Sequence, residues 1–195
     1  MDRVKVKVDT IVYYPPSKGY AILLRELRGV RQLPIIVGVF EAQAIALAIE
    51  SINMPRPLTH DLFANTLKDL NVKVKEIVIT DLTEGTFYAI VALEVPGNGR
   101  RVKIDSRPSD AIALALRADA PIYVMENIME EAGQKLDISA EVTKKVDEDI
   151  PEMKNIGRIL ELQSQLQEAI DSEDYEKAAE LRDQISQIEK TSPSN

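Results

Sequence analysis

The sequence predicts an α+β fold: two internally duplicated strand-strand-strand-helix units forming a mixed or antiparallel sheet core, followed by a C-terminal α-helical hairpin. Three observations carry this. First, apolar and polar residues alternate in several short runs, as in Val4, Val6 and Val8 against Lys5, Lys7 and Asp9, the period of a strand with one solvated face. Second, the chain repeats itself. Ala44-Ile45-Ala46-Leu47-Ala48-Ile49 matches Ala111-Ile112-Ala113-Leu114-Ala115-Leu116 at an offset of 67. At that offset Tyr20 to Leu24 falls on Phe87 to Val91, and Ile35-Ile36-Val37 on Val102-Lys103-Ile104. Such self-similarity marks a repeated structural unit. Third, Ile159, Leu162, Leu166 and Ile170, then Tyr175, Ala178, Leu181, Ile185 and Ile188, recur at helical spacing on either side of Asp171-Ser172-Glu173-Asp174.

Taken in order, the first strand runs from Val4 through Tyr13 to a turn at Pro15-Pro16-Ser17-Lys18-Gly19, and Tyr20 to Leu27 returns as its hairpin partner. Arg28-Gly29 turns into a third strand, Leu33 to Val39. Glu41 opens a helix that reaches about Asn53 and is apolar nearly all round, the mark of a buried helix. After Met54-Pro55-Arg56-Pro57-Leu58, Thr59 is placed as the cap of a second helix, with Leu62, Phe63, Thr66, Leu67 and Leu70 on one stripe. The second unit follows. Val72 to Thr80 and Phe87 to Val95 form a hairpin about Asp81-Leu82-Thr83-Glu84-Gly85, and a short strand at Val102-Lys103-Ile104 leads into Asp105. Ser109 is placed as the cap of the helix carrying the repeated phrase, with Pro108 just before it. A last strand at Pro121 to Val124 and a short helix from Asn127 to Gly133 complete this part. The expected division is 1–135 as the α+β domain, 136–155 as an acidic linker, 156–190 as the helical hairpin and 191–195 as a disordered tail.

Composition limits the chemistry. The chain has 195 residues, no cysteine and one histidine, which excludes disulfides and thiolate metal sites and leaves no His-rich zinc centre. No apolar run is long enough for a membrane span, and the N-terminus lacks a signal-peptide core, so a cytoplasmic location is expected. The net charge of −8 falls wholly on residues 136–195, which carry 7 basic and 15 acidic groups, whereas 1–135 carry 17 of each. A broad basic footprint for nucleic acid is therefore missing from the composition, although a nuclease needs only a local groove.

The phrases LPIIVGVFEAQAIALAIE, PRPLTHDL, VITDLTEGTFYA and IDSRPSDAIALALR closely resemble the bifunctional nuclease family over about residues 1–135. The tail phrase DSEDYEKAAELRDQI resembles the UVR motif of bacterial excision-repair endonuclease subunits. The resemblance implies DNase and RNase activity, with nucleic acid as substrate and the hairpin as a protein contact. It carries over no residue-by-residue catalytic scheme.

The residues themselves suggest where to look. Asp105, Arg107, Ser109 and Asp110 gather where a strand ends and a helix begins, and helix N-termini attract anions. Nucleases commonly use carboxylates to hold a divalent cation, so Asp81, Glu84 and Asp105 are candidate ligands for Mg²⁺ or Mn²⁺. Asp105, Arg107, Asp110 and His60 are candidate catalytic groups, and Arg107, Ser109 and Arg56 candidate substrate contacts. Each has a structural role open to it as well. Glu41 and Asp110 complement helix dipoles, Asp81 and Glu84 suit a turn, and Ser109 suits a cap. An ion pair with Asp105 or Asp110 would equally account for Arg107, and a lone histidine such as His60, beside Asp61, is more often structural. Three functional readings follow: a divalent-metal-dependent nuclease with an interaction hairpin, a non-catalytic oligomeric protein that recruits repair or stress partners, or a small-molecule sensor whose Arg107–Ser109 corner holds an anion. The alanine-rich helices and large apolar share also lead to the expectation of a homo-oligomer.

Overall fold

The computed structural model describes residues 2–17, 19–52, 54–97 and 99–135, and towards the C-terminus Leu162, Gln165, Leu166, Ala169 and 174–191. Compact contacts divide it into one unit of 1–52 and 57–139 and another of 53–56 and 140–195.

In the first unit the alternating runs form strands β1 (Arg3–Tyr14), β2 (Gly19–Glu26), β3 (Arg31–Val37), β4 (Lys73–Thr83), β5 (Thr86–Glu94), β6 (Arg101–Ser106), β7 (Ile122–Met125) and β8 (Gln134–Lys135). They make one mixed sheet in the order β6-β5-β4-β7-β1-β2-β3-β8. Every pairing is antiparallel except β4 with β7. Helices α1 (Val39–Ile49), α2 (Thr59–Asp69), α3 (Pro108–Arg117) and α4 (Glu126–Ala132) belong to the same unit.

One face of the sheet is the core. Val4 and Val6, Ile22 and Leu24, Leu33 and Ile35, Ile77 and Ile79, and Val124 are buried there at every second position, and β2 is buried on its other face as well, at Ala21 and Leu23. The helices cover that face. Ala111 to Ala115 of α3 and Ala42 and Ile45 of α1 are buried, and these two helices pack on each other. Their small side chains permit the close approach.

β1-β2-β3-α1 and β4-β5-β6-α3 have the same order and the same antiparallel pairing, and β7 stands between the two meanders. The sheet register does not follow the sequence offset of 67, however. Ile22 faces Ile35, but Ala89, which matches Ile22 in the repeat, faces Ser106 rather than Val102.

Several local expectations need correction. Leu58 and not Thr59 is the N-cap of α2, because the Asp61 carboxylate accepts the Leu58 N–H at 2.9 Å. Arg107 and not Ser109 is the N-cap of α3; Pro108 occupies the first helical position, where its fixed φ and missing N–H both fit. The apolar stripe of α2 is mostly solvent-facing: only Leu67 of the stripe is buried, while Leu62 is 60% and Leu70 61% exposed. Polar ties described below dock this helix instead. α1 is also less buried than its composition implies, since Phe40 and Ile49 are exposed. β8 was not foreseen at all; its two residues pair with Arg31 and Gln32 of β3.

In the second unit, α5 (Tyr175–Thr191) contributes Ala178 and Leu181 to a small apolar cluster with Leu162, Leu166 and Ala169. The acidic linker at 136–155, most of the first arm of the expected hairpin and nearly all of the tail at 191–195 lie outside the described residues.

Candidate active site

The end of β6, the start of α3 and the first turns of α1 and α2 meet at one corner, and a chain of charged side chains joins them. Arg107 is its hub. Its Nε donates to Asp110 Oδ2 at 2.7 Å and its Nη2 to Asp110 Oδ1 at 3.1 Å, while Nη1 donates to Glu41 Oε1 at 3.0 Å. Glu41 reaches back over the cap of α1, which works because residue 38 is glycine: a Cβ there would stand 2.6 Å from Glu41 Oε2. Asp110 Oδ1 is also 3.1 Å from His60 Nε2 on α2. Three of the five guanidinium donors are thereby used, and the Arg107 side chain is still 65% exposed.

The electrostatics follow from these contacts. Burial works to raise the Asp110 carboxyl, but the hydrogen bonds from Arg107 and His60 outweigh it and hold the group below its ordinary range. The bond to Asp110 likewise raises Arg107. Asp110 is thus an anion fixed between two donors.

A second tie runs beside the first. Arg117, in the last turn of α3, donates from Nε to Asp61 Oδ1 at 2.5 Å, and from Nη1 to the carbonyls of Ala44 and Ala113 at 3.0 Å. One side chain therefore binds α1, α2 and α3 together. Burial again opposes ionisation of Asp61, and Arg117 with the Leu58 N–H prevails to lower it. Sequence reading did not assign Arg117 or Asp61 a role. The available signal was a basic residue in a helix's last turn, where it suits the dipole, and an acidic one in another helix's first turn.

Two clefts flank the corner. One, of about 350 Å³, is lined by Thr59, His60, Phe63, Ile104, Asp105, Ser106 and Asp110 among others. The other, of about 340 Å³, is lined by Ile35 to Gly38, Glu41, the hairpin residues Gly85 to Phe87, and Arg107 to Ser109.

The structure thus brings His60, Arg107 and Asp110 into direct contact and places Ser109, only 7% exposed, against the second cleft. Asp105 is close in sequence but differs in direction. Alternation along β6 turns its side chain away from the face that Ile104 and Ser106 present, and Arg107 pairs with Asp110 and Glu41 instead of with it. Asp81 and Glu84 lie exposed in the β4–β5 hairpin, where Asp81 accepts the Leu82 N–H at 2.8 Å. Among the described residues, no group of three or more His, Asp or Glu side chains is set to chelate a metal ion, so Asp81, Glu84 and Asp105 do not form an assembled centre. Arg56 is exposed between α1 and α2 and belongs to the other contact unit.

Comparison with known proteins agrees with the resemblance. The model of the Bifunctional nuclease domain matches residues 22–137, and that of the UvrB/uvrC motif matches 157–191. An uncharacterized protein of Mycobacterium tuberculosis is 44% identical over 129 residues, covering 66% of this chain and 76% of that protein. Bifunctional nuclease 1 of Arabidopsis thaliana is 24% identical over 187 residues, 90% of this chain and 57% of the plant protein. Bifunctional nuclease 1 of Oryza sativa subsp. indica is 30% identical over 105 residues, 53% of this chain and 32% of that protein. The chain therefore spans only part of its plant relatives. The domain match includes Glu41, His60, Arg107 and Asp110, so the ion-paired corner lies inside it: the chain belongs to the bifunctional nuclease domain family.

Proposed function

We propose that this protein is a nuclease that hydrolyses phosphodiester bonds at the cleft walled by His60 and Asp110. The carrying observation is the 3.1 Å contact between His60 Nε2 and an Asp110 carboxylate kept ionised by Arg107. A histidine oriented by a carboxylate is an arrangement suited to general acid–base work. His60 Nδ1 has no partner among the described residues and is the nitrogen left for a water or a leaving oxygen. In this reading water oxygen bonds to phosphorus, the bond from phosphorus to the leaving sugar oxygen breaks, His60 takes the water proton, and the leaving oxygen takes a proton from solvent, to which His60 then returns its own. The two unused N–H donors of Arg107 can hold a phosphate oxygen, with Ser109 nearby. No step is routed through a metal. Dependence on Mg²⁺ or Mn²⁺ is part of the proposal's test. The corner joins elements from both meander–helix units, which we read as a duplicated scaffold whose copies supply Glu41 and Arg107 respectively. The UvrB/uvrC-type segment is read as a protein-contact hairpin.

A second reading, a non-catalytic oligomeric interaction protein, is favoured by the exposed Phe40, Leu62, Phe63 and Leu70. Incubating the purified full chain with single-stranded DNA, duplex DNA and RNA, with added Mg²⁺ or Mn²⁺ and with EDTA, separates the two. Cleavage that is lost in His60→Gln supports the nuclease, and loss with EDTA adds the metal. Absence of cleavage with every substrate and metal, together with a defined oligomer by light scattering, supports the second reading.

A further inference from the structure

The face of the sheet opposite the helices has a charge pattern that the overall composition conceals. Three strands carry a basic-valine-basic phrase: Arg3-Val4-Lys5-Val6-Lys7 in β1, Lys73-Val74-Lys75 in β4 and Arg101-Val102-Lys103 in β6. Where the strands alternate regularly, the valines face the helices, and the cations project from the other side. The registers bring those cations onto one surface. Asp105, Ile90, Val78, Tyr123 and Lys5 are directly opposed in one unbroken row from β6 to β1, about 19 Å across at the usual strand spacing. Beside it, Lys103 opposes Ala92, which opposes Glu76; beyond that, Arg101 opposes Glu94, which opposes Lys73.

Pairing leaves this surface positive. Glu76 is tied to Arg3 at 2.6 Å, Glu94 to Lys75 at 3.1 Å and Asp9 to Arg25 at 2.9 Å, the last poorly aligned as a hydrogen bond. Lys5, Lys7, Lys73, Arg101 and Lys103 remain exposed with no carboxylate partner among the described residues, against Asp81 and Asp105 alone. Charged side chains on an edge strand commonly guard against aggregation, but β1 and β4 are interior strands, so that role does not explain their lysines. The surface also offers rings. Tyr88, on the same side of β5 as Ile90, is 42% exposed, and the Arg3 guanidinium lies 4.2 Å from the centroid of Tyr123.

We propose that this sheet face is a binding platform for single-stranded nucleic acid. Cations that track a phosphate backbone beside exposed aromatic and guanidinium planes suit unstacked bases, whereas a duplex keeps its base faces covered. The proposal rests on the nuclease reading and adds where the substrate lies. Asp105, at the β6 end of the row, also lines the His60 cleft, so the platform reaches the cleft at this residue.

Fluorescence anisotropy with labelled oligo(dT), oligo(U) and a duplex of equal length tests it, using the full chain in EDTA. Lys5→Glu/Lys73→Glu/Lys103→Glu is expected to weaken single-strand binding by at least ~10-fold, with a shallower salt dependence of affinity. Arg28→Glu/Lys68→Glu/Lys135→Glu, an equal charge change elsewhere, is expected to bind within about threefold of wild type, the loss expected when no phosphate contact is removed. Tyr88→Ala is expected to lose ~10-fold. The Lys→Gln versions of the first triple variant keep the comparison valid if the reversals disturb folding. Equal loss in both triple variants, or none in the first, overturns the platform while leaving the nuclease reading intact. Tighter binding of duplex than of single strand, with Tyr88→Ala unchanged, overturns the single-strand assignment. Wild type that binds no nucleic acid and cleaves none overturns both.

Discussion

Asp110 ties the corner together because, among the described residues, it is the one that bonds to both Arg107 and His60, and its ionisation has a measurable consequence. Asp110 and Asp61 are both held below the ordinary carboxylate range when folded. Their contribution to stability is therefore complete above the unfolded value of about 3.9, and it disappears as pH falls through their lower folded values. Urea unfolding of Asp61→Asn/Asp110→Asn is expected to show lower stability than wild type at pH 7 and a flatter acid limb. Parallel acid limbs for the two proteins would contradict the assignment. Arg117 is the more structural of the two arginines, with its side chain only 11% exposed and carbonyls as well as a carboxylate to satisfy. Arg117→Met is expected to cost about 2 kcal/mol, since it leaves Asp61 part-buried without its cation. Arg107→Met, at a solvent-exposed pair, is expected to cost under about 1 kcal/mol. The sequence did show that Arg107 and Asp110 stand three apart at a helix start. It could not show that Glu41 and His60 close on them, because those contacts span 66 and 50 residues.

At the level of elements, strands such as β1, β4 and β5 were legible because their more buried side chains alternate with more exposed ones, and the hairpin turn was legible from its glycine. Glu84 and Gly85 have φ of 50° and 76°, the two positive values that a two-residue type I′ turn needs. Glutamate is poorly suited to the first of them. Glu84→Asn, which creates the favoured pair, is expected to raise the unfolding free energy by about 0.5 kcal/mol in urea titration. No change, or a loss, would mean that Glu84 has a contact worth more than the turn strain. The α1–α3 contact makes a stricter demand. Ala111 and Ala113 are wholly buried, so Ala113→Leu is expected to destabilise by about 1–3 kcal/mol through overpacking. The α2 stripe was misread because period alone does not say which way a helix docks. Asp61 and His60 turn toward α3, and that rotation leaves Leu62 and Leu70 outside.

For the whole molecule, the α+β class and mixed sheet were legible in the sequence, while the strand order was not. Parallel pairing of β4 with β7 joins segments whose contact depends on a crossover through α3, and no local residue pattern encodes that. Charge was similarly hidden. The balanced total for residues 1–135 gives no hint that the cations of β1, β4 and β6 share one face, because only the sheet registers superpose them. The corner and this face belong to one unit: in the proposed function the first positions a histidine for proton transfer, and the second holds the chain to be cut. That proposal stands on the carboxylate that contacts the imidazole. The most direct measurement is steady-state cleavage of a labelled single-stranded oligonucleotide by wild type and by folded Asp110→Asn. The expected result is a fall in kcat of about 10²-fold or more with KM nearly unchanged, since the variant alters proton transfer and leaves the platform intact. Wild-type kcat in a folded Asp110→Asn would contradict the assignment of the His60–Asp110 pair as the catalytic centre.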